Sequence, residues 1–144
     1  MSRESRLTAG VLLILLPAVV YGGTSILSLL ISDPDYAQNQ LRQDLWRAGH
    51  AHAGVLLVLS LVTLRYVDEA NLPRWLKSVA RHSIPAAAVL LPAAFFLSVL
   101  SPEATEPNAM IYVAFVGAVS LALGVLTLGI GLMRGPRDRT EKIR

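Results

Sequence analysis

Four apolar blocks divide the chain, and their lengths decide what it can fold into. They run from about Leu7 to Ile31, Arg47 to Val67, Ile84 to Leu100 and Ala109 to Met133. A helix crossing a hydrocarbon core of about 30 Å needs about 20 residues. The first, second and fourth blocks reach that length; the third is shorter and contains Pro85 and Pro92, which makes it the weakest span. Period-two alternation is absent, and lipid accepts only helices or closed barrels. Of the 144 residues 16% are charged and 53% apolar, with mean hydropathy +0.53, too little charge for a wholly water-facing surface. The expected fold class is an all-α membrane protein: one integral membrane domain, a four-transmembrane-helix bundle with a charged tail at 134–144.

The first block is preceded by Arg3 and Arg6, as in a secretory signal. Its apolar stretch is longer than an h-region and no A-x-A-like cleavage site follows, so it reads as a retained helix. With four spans, eleven of the thirteen basic residues fall on one side, and only Arg42 and Arg47 on the other. By the positive-inside rule both termini are expected in the cytoplasm, in a multi-pass protein of the inner (plasma) membrane. The net charge of +3 then reflects topology, and no aromatic platform or motif points to nucleic acid.

In the outer loop from Ser32 to Trp46, Asp33-Pro34 stops the first helix, and Ala37–Trp46 is expected as an interfacial helix. In the cytoplasmic loop Asn71 is expected to cap a short helix with Pro73 in its first turn. Leu72, Trp75, Leu76 and Val79 would share its apolar face, and Arg74, Lys77 and Arg81 would reach lipid phosphates or simply anchor the loop. Ser101 to Asn108 reads as a tight acidic connector.

Small and polar residues punctuate the spans. Gly117, Gly124 and Gly131, with Ser120, form a stripe that suits close helix packing within the bundle or a subunit interface. Gly49, Ala53 and Gly54 make a second small patch. Pro17 precedes Tyr21-Gly22-Gly23-Thr24-Ser25, which reads as a kink or as polar lining.

The one constellation that suggests chemistry is Arg47-Ala48-Gly49-His50-Ala51-His52-Ala53-Gly54. Ionisable groups in a span are costly and therefore candidates for function. On a straight helix His50 and His52 are about 200° apart, so they do not easily grip one ion. Either the helix starts later and both rings share a side, or each serves a different neighbour. The small residues around them leave room for a planar macrocycle or a close-packed helix.

The His50-Ala51-His52 pattern resembles the histidine pair of the haem-copper oxidase catalytic subunit and its small stand-alone relatives, where such a pair ligates two haems from opposite faces of one helix. The resemblance implies haem or metal binding by His50 and His52, with Arg47 pairing with a propionate. The opposing ligand would be Met110, Tyr112 or a residue of another subunit. The family's other histidines are missing, since His82 is the only further one, so oxygen reduction is not implied. The whole chain also resembles small four-span bacterial membrane proteins, a likeness that implies no activity.

Three functions are therefore open. The first is a haem- or divalent-metal-binding membrane protein associated with electron transfer. The second is a non-catalytic accessory or structural subunit, as a homo-oligomer or within a larger membrane complex in the bilayer. The third is a small transporter or channel lined by Tyr21, Thr24, Ser25, Ser60 and Thr63, weakened by the lack of a charged residue at the membrane centre. Zero cysteines exclude disulfides and thiolate metal sites in this chain. No nucleophile–base set or phosphate loop argues for an enzyme.

Overall fold

The computed structural model describes residues 1–135; the tail beyond them, including Arg137, Arg139, Lys142 and Arg144, lies outside the described residues. The described chain has no strands, and four of its helical segments are long and apolar enough to cross a membrane. The helices are α1 (Arg3–Ser32), α2 (Pro34–Gln38), α3 (Gln40–Val67), α4 (Arg74–Ser98) and α5 (Val113–Met133), the last preceded by a 3-10 turn at Ala109–Tyr112. They pack as a row: α1 on α3, α3 on α4, α4 on α5. α4 is the most enclosed, whereas α1 shows most of its apolar surface to the surroundings.

The caps explain where the outer elements begin. The Asp33 carboxylate accepts the N–H groups of Asp35 and Tyr36 and opens α2, with Pro34 in its first turn. The Asn39 side chain accepts the Arg42 N–H at 3.1 Å and opens α3. The expected interfacial helix over Ala37–Trp46 is thus split at Asn39, and its larger part is fused to the second span. α3 starts seven residues before the expected 47.

A similar extension corrects the third span. α4 begins at Arg74 rather than 84, so Trp75, Leu76 and Val79 form its first turns instead of a separate interfacial helix. Pro73 takes the N-cap position, and Asn71 instead donates its N–H to the Gly131 carbonyl at 2.9 Å. Pro85 and Pro92 lie within α4 without ending it. Ser120 of α5 donates its hydroxyl to the Ser83 carbonyl at 2.9 Å, a polar tie between the two helices beside the first proline.

The glycine stripe is an internal seam. A Cβ on Gly117 would lie 2.8 Å from Leu91 Cγ, one on Gly124 2.6 Å from Ile84 Cγ1, and one on Gly131 2.5 Å from Leu72 Cγ. Each glycine admits a bulky α4-side residue against the α5 backbone, which accounts for the heptad spacing. The subunit-interface alternative for this stripe has no support: its three glycines are buried within the chain.

At the end of the bundle that holds the N-terminus, burial overturns the expected lipid contact of Arg81. Its side chain is 6% exposed and holds three segments together. The guanidinium donates to Glu4, to Ser5 Oγ at 3.0 Å and to Asp68 Oδ1 at 3.0 Å. The Ser2 N–H donates to the other Asp68 oxygen at 2.6 Å. Burial alone would raise the Asp68 carboxyl pKa, but hydrogen bonds from Ser2, Ser5 and Arg81 bring it below its ordinary value. This network fastens the start of α1 to α4 and to the end of α3.

At the opposite end, called outer after the expected topology, Tyr36 is 1% exposed. Its ring lies 5.5 Å from that of Trp46, and the Arg42 guanidinium sits 4.8 Å from the Trp46 centroid. Gln43 donates to the carbonyls of Tyr36 and Ala37. These contacts fix α2, and with it the outer end of α1, to α3.

Candidate site in the α1–α3 seam

Pinned at both ends, α1 leaves its middle against α3 loosely filled, and His50 lies there. It is the eleventh residue of α3, about 15 Å along the helix. The helix is continuous through Arg47–Gly54, so the two histidines diverge as the 200° separation requires. His50 turns to α1. A Cβ on Gly23 would fall 2.7 Å from His50 Nε2 and 2.9 Å from Cε1, and one on Gly22 3.8 Å from Nδ1. The Gly22-Gly23 pair is therefore the cradle in which the imidazole rests. His52 turns to α4, with its ring 5.2 Å from Phe95 and its Nδ1 2.7 Å from the Ala48 carbonyl.

Three cavities meet at His50. An outer one of about 270 Å³ adds Tyr36, Gln43 and Arg47. An open groove of about 720 Å³ runs between Leu16 and Val20 of α1 and Ala51 to Val58 of α3. A third, of about 280 Å³, lies toward Ala88 and Phe96 of α4. Their walls are mostly apolar. Among the described residues the His50 ring has no hydrogen bond, unlike His52 and His82, whose Nδ1 atoms lie against their own helix carbonyls. The Tyr36 hydroxyl is likewise buried without a partner, and burial raises its pKa despite nearby Arg47 and Arg42.

Arg47 lines the outer cavity but is already engaged. Its Nε donates to the Gln43 carbonyl at 3.2 Å and its Nη2 to Asp44 at 2.8 Å. Both side chains of that pair are more than half exposed, so it adds little stability. Met110 and Tyr112 line none of the three cavities at His50. They belong to the 3-10 turn before α5, where Tyr112 stacks on Phe115 at 6.3 Å.

This arrangement does not fit a haem held within one copy of the chain. His50 Nε2 is crowded on the Gly23 side, where even an added Cβ would fall 2.7 Å from it. His52 faces the other way and is not joined by Met110 or Tyr112 in a common cavity. Among the described residues no cluster of three histidines or carboxylates is placed to hold a metal ion. The hydroxyls expected along a transport path turn back on their own helices: Thr24 and Ser25 donate to Tyr21, Ser60 to Leu56, Thr63 to Leu59.

No protein-family model, curated protein or solved structure matches the chain. What the seam does is therefore read from its geometry. The sequence singled out His50 and Arg47, and offered Tyr36 as a polar partner of the histidines, but Gln43 and the role of Gly22-Gly23 were missed. The glycine pair was the available signal, since two adjacent glycines in an apolar helix mark a close approach by something bulky.

Proposed function

We propose that the chain is a multi-pass protein of the inner (plasma) membrane whose α1–α3 seam binds a lipid-soluble ligand, with His50 as its polar contact. One observation carries this reading: the imidazole that has no hydrogen bond among the described residues is also the residue common to all three cavities. Mostly apolar pockets with a few polar groups are the usual form of small-molecule sites. The groove opens sideways, so a ligand enters from the bilayer. An association with electron transfer then requires a redox-active ligand, not a metal bound by the histidine pair.

The experiment is photolabelling of the purified protein in micelles with hexadecanoic acid bearing a mid-chain diazirine. Adducts are expected on residues 16–24 and 51–58, and Gly23→Val should reduce them by filling the His50 cradle. Labelling spread evenly over all outward-facing residues, including Phe115 and Leu126 of α5, would contradict a site in the seam. An accessory-subunit role then becomes the better reading, favoured by the exposed His52 beside Phe95, which presents a polar ring to whatever covers that face.

The orientation with both termini cytoplasmic rests on the basic residues. Cysteines introduced at Gln38 and Thr140 should react from opposite sides of the membrane. Reaction from the same side would contradict that topology.

A further inference from the structure

We infer that the seam's ligand is an amphiphile with an oxygen-acceptor head, a carboxylate or a carbonyl, held at the outer cavity by Arg47 and His50, with its tail in the groove toward Val58. This rests on the seam being a ligand site. Three observations give it its chemistry.

Size favours a slender occupant within the seam. The outer cavity is about 270 Å³ and reached along a groove of about 720 Å³ that shares Gly23 and His50 with it. A helix with its side chains is about 10–12 Å across, whereas an extended tail with a compact head fits a narrow seam ending in a small chamber.

Charge excludes a cationic head. Among the described residues Arg47 is the only side chain of fixed charge on the walls of the outer cavity, and no carboxylate lines it, the groove or the third cavity. The Asp44 partner of Arg47 is exposed and lies outside these walls.

Hydrogen bonding selects an acceptor. His50 offers an N–H in the tautomer protonated at Nδ1, the less crowded of its two nitrogens, Arg47 has N–H groups beyond those bound to Gln43 and Asp44, and the Tyr36 hydroxyl has no partner among the described residues. Both Gln43 amide bonds run to backbone carbonyls. Donors thus predominate at the end of the seam where α2 closes it, and Leu16, Val20 and Val58 line the other end. Head and tail positions follow.

The test uses three probes with one diazirine hexadecyl chain and different heads: a carboxylic acid, its methyl ester and a primary amine. In full-length protein at neutral pH the acid and the ester should label the seam, and the amine roughly fivefold less, as one unfavourable charge contact implies. His50→Ala and the more conservative His50→Gln should both lower acid and ester labelling; size exclusion and thermal unfolding confirm that each variant folds. Competition distinguishes the sources. Displacement by palmitic acid, with loss in Arg47→Gln, identifies a fatty-acid carboxylate. Displacement by decylubiquinone, weakened but not lost in Arg47→Gln, identifies a quinone carbonyl. Equal labelling by the amine overturns the inference about the head while leaving the seam as a site. Absence of seam labelling by all three overturns the proposed function itself.

Discussion

Replacing Arg81 by methionine is expected to destabilise the protein by about 3–5 kcal/mol, the range for removing one partner of a buried ion pair. The guanidinium is 6% exposed and Asp68 20% exposed, so the variant leaves a largely desolvated carboxylate without its cation. Glu4 is different: its side chain is 73% exposed, and Glu4→Gln should cost no more than about 1 kcal/mol. The same network has a pH signature. Asp68 has a folded pKa below its ordinary value, so its contribution is complete above the unfolded pKa of about 3.9 and is lost as pH falls through the folded value. Thermal unfolding in micelles should show a midpoint that drops in acid, with a smaller drop in Asp68→Asn. If Arg81→Met unfolds like the parent protein, the start of α1 is not held by this cluster.

A second large effect is expected at the α4–α5 seam. Gly124→Leu should cost about 1–3 kcal/mol by overpacking. A Cβ there meets Ile84 Cγ1 at 2.6 Å and the Ile84 backbone nitrogen at 3.2 Å, and backbone does not rotate away. Gly129 is the control on the same helix, because nothing lies within 4 Å of a Cβ at that position. Gly129→Leu should stay within about 0.5 kcal/mol of the parent. Equal midpoints for the two variants would show that α5 does not use its glycines to approach α4.

These two seams show how much the sequence could convey. Apolar length located all four long helices, since the bilayer criterion depends on nothing outside each block. Helix starts were less legible. Asn39 and Pro73 fix α3 and α4 well before their apolar blocks begin, because polar first turns are stabilised by contacts with other segments, such as Gln43 with Tyr36 and Arg81 with Asp68. Arg81 was misread for the same reason: a basic residue in an inner loop suggests lipid phosphate, and only the fold brings Glu4 and Asp68 to it. The heptad of glycines was legible as close packing, but its partner was not, since spacing alone does not name Leu91, Ile84 and Leu72. At the site, the i, i+2 spacing left two arrangements open, and the continuous helix through Arg47–Gly54 selects the one in which His50 and His52 serve different neighbours. That His50 would rest on Gly22-Gly23 depended on how α1 docks, which no local pattern specifies.

The central claim is that His50, not His52, meets the ligand. It is tested most directly by nitrogen NMR of protein labelled with ¹⁵N-histidine, which has three histidines to resolve, assigned by single substitution. On addition of palmitic acid or decylubiquinone, the His50 ring signals should shift as a free nitrogen gains a hydrogen bond, while those of His52 and His82 stay in place. Signals that move at His52 alone, or at none of the three, would contradict the account.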